Sequence, residues 1–462
     1  MKYDPTEDST QRHGERHRRA RVLVSAFSFS PVGGSEPAVG WHIASRLAQW
    51  HDVTVLCSPG IANQNRRAVI EDHLARKPVA GLTVHFVEPP VLTRLFQADG
   101  RRDSVLRGLY YVGYAAWQRA AYRQAIELHR QQRFDLVHHL TFTGYREPGY
   151  LWKLPVPFVW GPVGGVPEIP ISYFPLLGAR DQLIYGAKEL MNEAQKRVAL
   201  RSRRAALAAR QVWVNSEPAR QMFERWGRHA MLVPETGSSP QPQAAVRSYH
   251  SGGPLKLVWS GVHIGVKAMP IVLHAMKRAK DAGVEVSLTV VGRGTATASW
   301  VELAERLGVG SQVRWTGALP HDQALTEMAR ADVLAFSSLQ EGTPHVVIEA
   351  LSLGLPVICH DCCGMRVVVT DKCGIKLKMT DPQTSIGGFA DAMLKLAGTP
   401  GLVESLSRGA LARSGELTWD RHAAVISSGY DRILSEGAAA DGLGESPGFL
   451  RKDQCGTSLA PS

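Results

Sequence analysis

Short apolar runs alternate along the chain with longer stretches in which apolar residues have helical spacing. Arg21–Phe27 is typical of a buried strand, and the Gly33-Gly34 turn separates it from a helix predicted over about Pro37–Trp50. Further strands are predicted at Val53–Cys57, Leu82–Val87, Phe134–Leu140 and Val156–Trp160. Strands that alternate with helices favour a parallel sheet covered by helices.

The same alternation begins again after residues 236–254, which are rich in Gly, Ser, Pro and Gln and are typical of a linker. Strands are then predicted at Leu255–Trp259, Val284–Val291, Gln312–Trp315, Asp332–Ser337 and Pro356–Cys359, with helices between them. We therefore predict an α/β protein of two Rossmann-like, doubly wound parallel-sheet domains that face a cleft. Ligands of such sheets bind at the carboxyl ends of the strands.

The predicted domains cover residues 21–235 and 255–418, and a helix is predicted over 419–436. Residues 1–20 and 437–462 are predicted to be disordered tails, the first of them basic. No run reaches the 18 or so apolar residues that a membrane span requires, and no apolar segment follows the basic residues of the first tail. We expect a cytoplasmic protein.

The charge balance points to an anionic partner. The chain has 462 residues, enough for two domains, with 53 Lys and Arg against 42 Asp and Glu, a net charge of +11. Phosphate-bearing ligands and anionic membranes fit this excess. Nucleic acid is not expected, because no recognition module is visible. The six cysteines lack two paired CxxC motifs, so we expect no metal site and assign them to packing.

Two stretches combine basic residues with apolar ones. Residues 91–133 mix arginines with aromatic residues, and residues 188–210 are strongly helical with seven Lys or Arg against two Glu. One interpretation is a pair of solvated amphipathic helices packed on the first sheet. The other is a contact surface for anionic lipid, so a membrane surface is a candidate partner.

The most informative segment is Leu339–Pro356, LQEGTPHVVIEALSLGLP. Thr343 is a good N-cap, and Pro344 suits the first position of a helix. The free amides near His345 and Val346 then form an anion site suited to a diphosphate. Glu341 precedes the helix, and Glu349 lies roughly 7–8 Å along its axis at about 1.5 Å per residue. One carboxylate on each side of a diphosphate matches a nucleotide-sugar.

This segment resembles the donor-site signature of retaining family 4 glycosyltransferases, which have the GT-B fold. The resemblance extends over most of residues 21–436. It includes Gly33-Gly34 with Ser35-Glu36, Trp160–Gly165 (WGPVGG, as in exopolysaccharide-type members), Gly261 with Lys267, Gly292 with Gly294, and Leu417–Asp420 (LTWD). In that family the last of these motifs begins helices that cross back to the first domain.

The resemblance implies a role for each matching residue. Glu341 would orient the transferred sugar, Glu349 would bind the ribose, and Lys267 would hold the donor phosphates. A histidine at the end of the fourth strand would contact the sugar, and we prefer His138 to His139 because alternation lets only one face the cleft. The remaining expected donor-binding residues are Gly33, Gly34, Gly261, Gly292, Thr343, Pro344, His345 and Val346.

Val262 stands where the family usually has an arginine, and His263 is a weak substitute for that charge. The expected activity is transfer of a sugar from a nucleoside diphosphate sugar to a glycan or lipid-linked acceptor, with retention and with no metal or other cofactor. A nucleotide-sugar epimerase or glucan synthase of the same fold, and a non-catalytic GT-B binding protein, remain open alternatives. For the expected enzyme, Glu341→Gln should lower turnover and leave nucleoside diphosphate binding nearly unchanged.

Overall fold

Two parallel sheets organise the protein. The computed structural model describes residues 19–32, 34, 36–60, 65–88, 107–249 and 252–442. The first sheet has the order β3-β2-β1-β4-β5-β6-β7, and every strand pair in it is parallel. The order turns back at β1, so the carboxyl ends of β1 and β4 flank the crevice where doubly wound sheets bind ligands.

The first sheet and its helices occupy residues 21–232. Its strands are β1 Arg21–Ala26, β2 Asp52–Cys57, β3 Leu82–Phe86, β4 Leu136–Thr141, β5 Phe158–Val163, β6 Ala209–Val214 and β7 Met231–Leu232. Its helices are Glu36–Leu47, Arg66–Arg76, Arg107–Gln132, Ala179–Val198, Leu200–Ala208 and Glu217–Arg225, with 3-10 turns at Leu151–Lys153 and Ile171–Leu176. The predicted basic stretch 91–133 is helical from Arg107, and residues 89–106 lie outside the described part.

The second sheet has the order β10-β9-β8-β11-β12-β13, again all parallel. Its strands are β8 Leu255–Ser260, β9 Val286–Val291, β10 Val313–Gly317, β11 Val333–Phe336, β12 Val357–His360 and β13 Gly374–Leu377. Its helices are Met269–Asp281, Thr297–Arg306, His321–Ala329, His345–Ser352, Cys363–Val368, Pro382–Gly398 and Leu402–Glu416, with 3-10 turns at Gly265–Lys267 and Gly310–Gln312.

Each sheet is covered on both faces, because neighbouring residues of a strand point to opposite sides. In β1, Leu23 packs with the apolar cluster under helix Arg107–Gln132, whereas Val22 and Val24 pack with the cluster under helix Glu36–Leu47. The sequences of the strands are consequently nearly continuous apolar runs, as is typical of parallel strands that are buried on both faces.

The last helix, Trp419–Gly442, returns to the first domain. Its Ile426 and Tyr430 belong to the apolar cluster of β1, and Arg46 forms an ion pair with Asp420 (Nε to Oδ1, 2.9 Å). The predicted fold class, including this crossing helix, is confirmed. The helix continues to Gly442, so residues 437–442 are not the disordered tail that the sequence suggested. No helix in the described ranges is long and apolar enough to cross a membrane.

Candidate functional site

Two predicted site residues, Lys267 and Glu341, form an ion pair. Lys267 ends the 3-10 turn after β8, and Glu341 lies in the loop after β11. Since β8 and β11 are parallel neighbours, their loops meet at the carboxyl edge of the second sheet. The two side chains are only 18% and 14% exposed, so the pair is largely shielded from water and its attraction exceeds that of a surface pair.

The two loops are fastened to each other by the backbone. The Leu339 amide donates to the Val266 carbonyl (3.0 Å), and the Ser337 hydroxyl donates to the Lys267 carbonyl (2.9 Å). The Lys267 ammonium also lies 5.4 Å from the centre of the Phe336 ring. The loops therefore hold Lys267 at a fixed place on the sheet edge.

The helix that follows this loop begins at His345, not at Pro344 as predicted. Pro344 is its N-cap and provides no side-chain cap. Thr343 does not cap the helix, because its hydroxyl accepts a hydrogen bond from the Glu235 amide (3.3 Å). The amides of His345 and Val346 lie in the first turn, where a helix offers them no internal acceptor. The predicted helix start is thus present with a different cap, and its role as an anion site stays a prediction.

Glu235 ties the end of the first domain to this loop, a role that the sequence analysis missed. One carboxylate oxygen accepts from the Thr343 amide (2.9 Å) and the other from the side-chain amide of Asn215 (2.9 Å). The Thr236 hydroxyl donates to the Thr343 carbonyl (3.2 Å). Glu235 and Thr343 therefore exchange hydrogen bonds in both directions, across 108 residues of sequence.

Burial governs the charge of this carboxyl. Desolvation raises the pKa of Glu235 from 4.5 to about 7, with smaller contributions from the nearby charges of Glu36 and Glu341, while the bonds from Thr343 and Asn215 lower it. Glu36, which follows the glycine turn of the first domain, is partly buried and accepts from the Thr143 amide (2.7 Å). Burial likewise raises the pKa of Glu36. Carboxyls from both domains thus meet at one place.

Glu349 lies in the middle of helix His345–Ser352, and its side chain is 25% exposed. Desolvation raises its pKa, and the nearby His321 lowers it; the His321 Nε2 atom is 3.7 Å from a Glu349 oxygen. Burial lowers the pKa of His345 to about 4, so this imidazole is neutral near pH 7. Glu349 therefore keeps a quarter of its side chain exposed beside His321, and its contact with a ribose stays a prediction.

Glycines let two neighbouring turns of the second domain approach closely. A Cβ atom at Gly292 would collide with the Gly261 carbonyl oxygen, and one at Gly294 would collide with the backbone of His263. Gly261 and Gly292 also have φ values of +159° and +125°. The predicted glycines at the ends of β8 and β9 thus share one compact surface, next to the loop of Lys267.

The structure does not support His263 as a replacement for the missing arginine. Its ring packs against Trp300 (centroids 4.9 Å apart) and Trp259 (5.5 Å), and its Nδ1 atom contacts the Thr297 hydroxyl (2.8 Å). Desolvation lowers its pKa to about 4, so it is neutral near pH 7. Val262 itself is 49% exposed. The turn after β8 therefore supplies Lys267 as its only cation between residues 261 and 267.

His138 does not face the cleft, contrary to our preference. It is fully buried, with Nδ1 2.6 Å from the Tyr430 hydroxyl and Nε2 2.6 Å from the Gly161 carbonyl oxygen. Burial lowers its pKa to about 4. The last helix covers this face of β4, so His138 packs between domain core and helix. His139 points to the opposite face and is fully buried as well.

The remaining predicted residues add little to the site. Gly33 lies outside the described residues, and a Cβ atom at Gly34 would meet nothing within 4 Å. Over the described ranges, no group of three or more His, Cys, Asp or Glu could hold a metal ion. Cys363 lies against the Glu341 loop, with its sulfur 3.9 Å from the Leu339 carbonyl oxygen.

Comparison with solved structures identifies the architecture as GT-B. Sucrose-phosphate synthase from Thermosynechococcus elongatus has a TM-score of 0.61, with 14% identity over 90% of this chain and all of that one. Anabaena HepE in complex with UDP-glucose has a TM-score of 0.53, with 14% identity over 91% of this chain and all of that one. At such identities the likeness establishes the fold.

The second domain carries the family relationship. Residues 247–406 match the family described as glycosyl transferases group 1. D-inositol 3-phosphate glycosyltransferase from Streptomyces bingchenggensis is 26% identical over 178 residues, which is 37% of this chain and 38% of that protein. The chain thus aligns with little more than a third of this curated relative. The matched region contains Lys267, Glu341 and the helix start, so these residues lie in the part of the chain that is similar to glycosyl transferases group 1.

Proposed function

We propose that the protein transfers a sugar from a nucleoside diphosphate sugar to a glycan or lipid-linked acceptor, with retention of the anomeric configuration, as a family 4 glycosyltransferase. The observation that carries this proposal is the meeting of Lys267, Glu341 and the amides of His345 and Val346 at the carboxyl edge of the second sheet. All four lie in the domain that matches glycosyl transferases group 1.

The donor would lie across the start of helix His345–Ser352. A helix start and a lysine together suit a diphosphate, because both place positive charge toward the phosphate oxygens. Glu349, further along the helix, would accept hydrogen bonds from the ribose. HepE, a neighbour of the same fold solved with UDP-glucose, supports this class of ligand.

Catalysis would depend on the departing diphosphate. Lys267 and the first amides of the helix would stabilise the negative charge that develops on the leaving oxygen. Glu341 would hold the sugar hydroxyls in reactive geometry. These groups account for leaving-group stabilisation without a metal ion, so we expect turnover to persist in a strong chelator. Domain closure would keep water from hydrolysing the donor.

We infer a role in exopolysaccharide or other cell-surface glycan synthesis, at the cytoplasmic face of the membrane, and the resemblance of the WGPVGG segment to exopolysaccharide-type members supports it. Within it, Gly161 approaches the Trp213 backbone and has a φ of +130°. The chain then continues toward the second domain, where Tyr173 packs and contacts the Ser385 hydroxyl (2.6 Å). A Cβ atom at Gly164 would meet the side chain of Asn215, which donates to Glu235 beside Thr343, so this segment borders the proposed donor site.

The test is proton NMR of a reaction that contains UDP-, GDP- or ADP-sugars with and without a glycan acceptor. Transfer predicts a new anomeric signal with the donor's configuration, seen only with acceptor. An epimerase would instead convert the donor sugar without acceptor. A second candidate is a non-catalytic GT-B binding protein, which is motivated by the lack of a positive charge at Val262 and His263. For such a protein the spectra would stay unchanged.

A further inference from the structure

Helix Ala179–Val198 turns an apolar face to solvent. Its outer stripe, which we define as Leu183, Ile184, Leu190, Met191 and Val198, is between 46% and 77% exposed. The members recur about every seven residues, two helical turns, so they share one face. Isolated exposed apolar residues are common, but a contiguous row of large ones marks an interaction surface.

The inner face of the same helix is polar and anchors it to the first domain. Asn192 is buried and its side-chain oxygen accepts from the Tyr145 hydroxyl (2.7 Å). Lys196 forms an ion pair with Glu168. Glu189 accepts from the Ile169 amide (3.5 Å). The usual arrangement of an amphipathic helix is therefore reversed, and its acidic residue at 189 is used for anchoring.

Exposed cations follow the stripe along the chain. Arg197, Arg203 and Arg204 are exposed, and their guanidinium groups make no hydrogen bond or ion pair with the part of the chain that the structure describes. Leu200 and Leu207, on the next helix, are also exposed, at 66% and 51%. Apolar side chains beside unpaired arginines match a surface that is apolar inside and anionic outside.

We propose that the outer stripe inserts into the headgroup region of an anionic phospholipid membrane, with Arg197, Arg203 and Arg204 bound to lipid phosphates. Helix Ala179–Val198 would then lie in the plane of the membrane. Its first turn contacts the second domain, since a Cβ atom at Gly265 would lie 2.7 Å from an Asp181 carboxylate oxygen. If the proposed transfer reaction is correct, the membrane therefore lies beside the Lys267 loop, where a lipid-linked acceptor would enter.

The test is co-sedimentation of the whole protein with vesicles of equal parts phosphatidylcholine and phosphatidylglycerol. Leu190→Glu should weaken binding about ten-fold or more, since it replaces a buried apolar contact with a charge. Arg203→Glu combined with Arg204→Glu should weaken it similarly, because each basic residue near an anionic surface contributes about five-fold. High salt and pure phosphatidylcholine vesicles should both reduce binding by the parent protein.

Matched controls separate the stripe from general effects. Val69→Glu adds the same charge at an exposed aliphatic residue on another helix of the first domain. Lys395→Glu with Arg421→Glu changes net charge equally on helices away from the stripe. Both controls should bind like the parent. The proposal would be overturned if Leu190→Glu left vesicle binding unaltered, if the controls lost binding equally, or if the parent did not bind anionic vesicles. It would also be overturned if the parent were a dimer that bound no vesicles and that Leu190→Glu made monomeric. Because vesicle binding needs no donor, its failure is distinguishable from failure of the proposed reaction.

Discussion

The ion pair between Lys267 and Glu341 changes what a substitution at Glu341 should do. From the sequence, Glu341→Gln is expected to leave nucleoside diphosphate binding nearly unchanged. In the structure the Lys267 ammonium is engaged by Glu341, so a diphosphate has to compete with that carboxylate for the same cation. We now expect Glu341→Gln to tighten nucleoside diphosphate binding while it lowers turnover with the sugar donor.

The burial of the pair sets the size of the effect. Exposed ion pairs contribute about 0.2–1 kcal/mol, and hydrogen bonds to charged groups contribute about 1.5–3 kcal/mol. With 18% and 14% of the side chains exposed, this pair lies between those cases. A gain of about 1–2 kcal/mol, roughly five- to thirty-fold in affinity, is expected when a neutral amide replaces the carboxylate.

The assay is calorimetric titration with UDP, GDP and ADP, using the diphosphate that the parent binds best. Glu341→Gln is compared with Glu349→Gln, which should weaken binding about ten-fold or more by loss of a ribose contact. In a Lys267→Ala background, Glu341→Gln should no longer increase the affinity, because the contested cation is gone. Equal or lower affinity of the single Glu341→Gln variant would refute the competition.

Three further changes test other parts of the account. Lys267→Ala should weaken nucleoside diphosphate binding about ten-fold or more, because a charge-assisted phosphate contact is lost; calorimetry that shows unchanged affinity would remove Lys267 from the site. Burial raises the pKa of Glu235 from 4.5 to about 7, so the unfolded chain releases this proton at a lower pH than the folded chain does. The free energy of unfolding therefore falls by roughly 3 kcal/mol as pH rises from about 4.5 to about 7. Denaturant unfolding at several pH values should show a smaller fall for Glu235→Gln, and an identical profile would contradict the assignment. Gly292→Ala should lower the melting temperature more than Gly283→Ala, since both have positive φ but only Gly292 faces a close carbonyl; equal losses would exclude the clash as the cause.

The alternation of strands and helices predicted the fold well, because buried parallel strands appear as short apolar runs. The strands that escaped prediction are short or directly follow a helical stretch. β6, Ala209–Val214, begins with Ala and Arg and continues an Arg-rich helical stretch, and β13 has only four residues. Local pattern is weak evidence for such strands, whose place is fixed by pairing with their neighbours.

The site was predicted as far as it depends on local sequence. Glu341 and Glu349 lie within nine residues of sequence, so local spacing alone places both carboxylates near the start of the helix. Thr343 has the right chemistry for a cap, yet its hydroxyl is taken by the Glu235 amide. A partner 108 residues away leaves no trace in local spacing, which also explains why Glu235 escaped notice.

The histidine pair shows the same limit. Alternation correctly places His138 and His139 on opposite faces of β4. Both side chains are nevertheless buried, and His138 is covered by the last helix, whose Tyr430 hydroxyl reaches it from 292 residues along the chain. An acidic residue directly after an apolar run and before a linker, as in VPETG, is the signal that would have drawn attention to Glu235.

We propose that the carboxyl edge of the second sheet binds a nucleoside diphosphate sugar as the donor. The most direct measurement is release of nucleoside diphosphate from a panel of UDP-, GDP- and ADP-sugars, with glycan and lipid-linked acceptors, by the parent and by Lys267→Ala. We expect acceptor-dependent release from at least one donor by the parent, and a large loss of release in the variant. No release from any donor, or equal release by the two proteins, would contradict it.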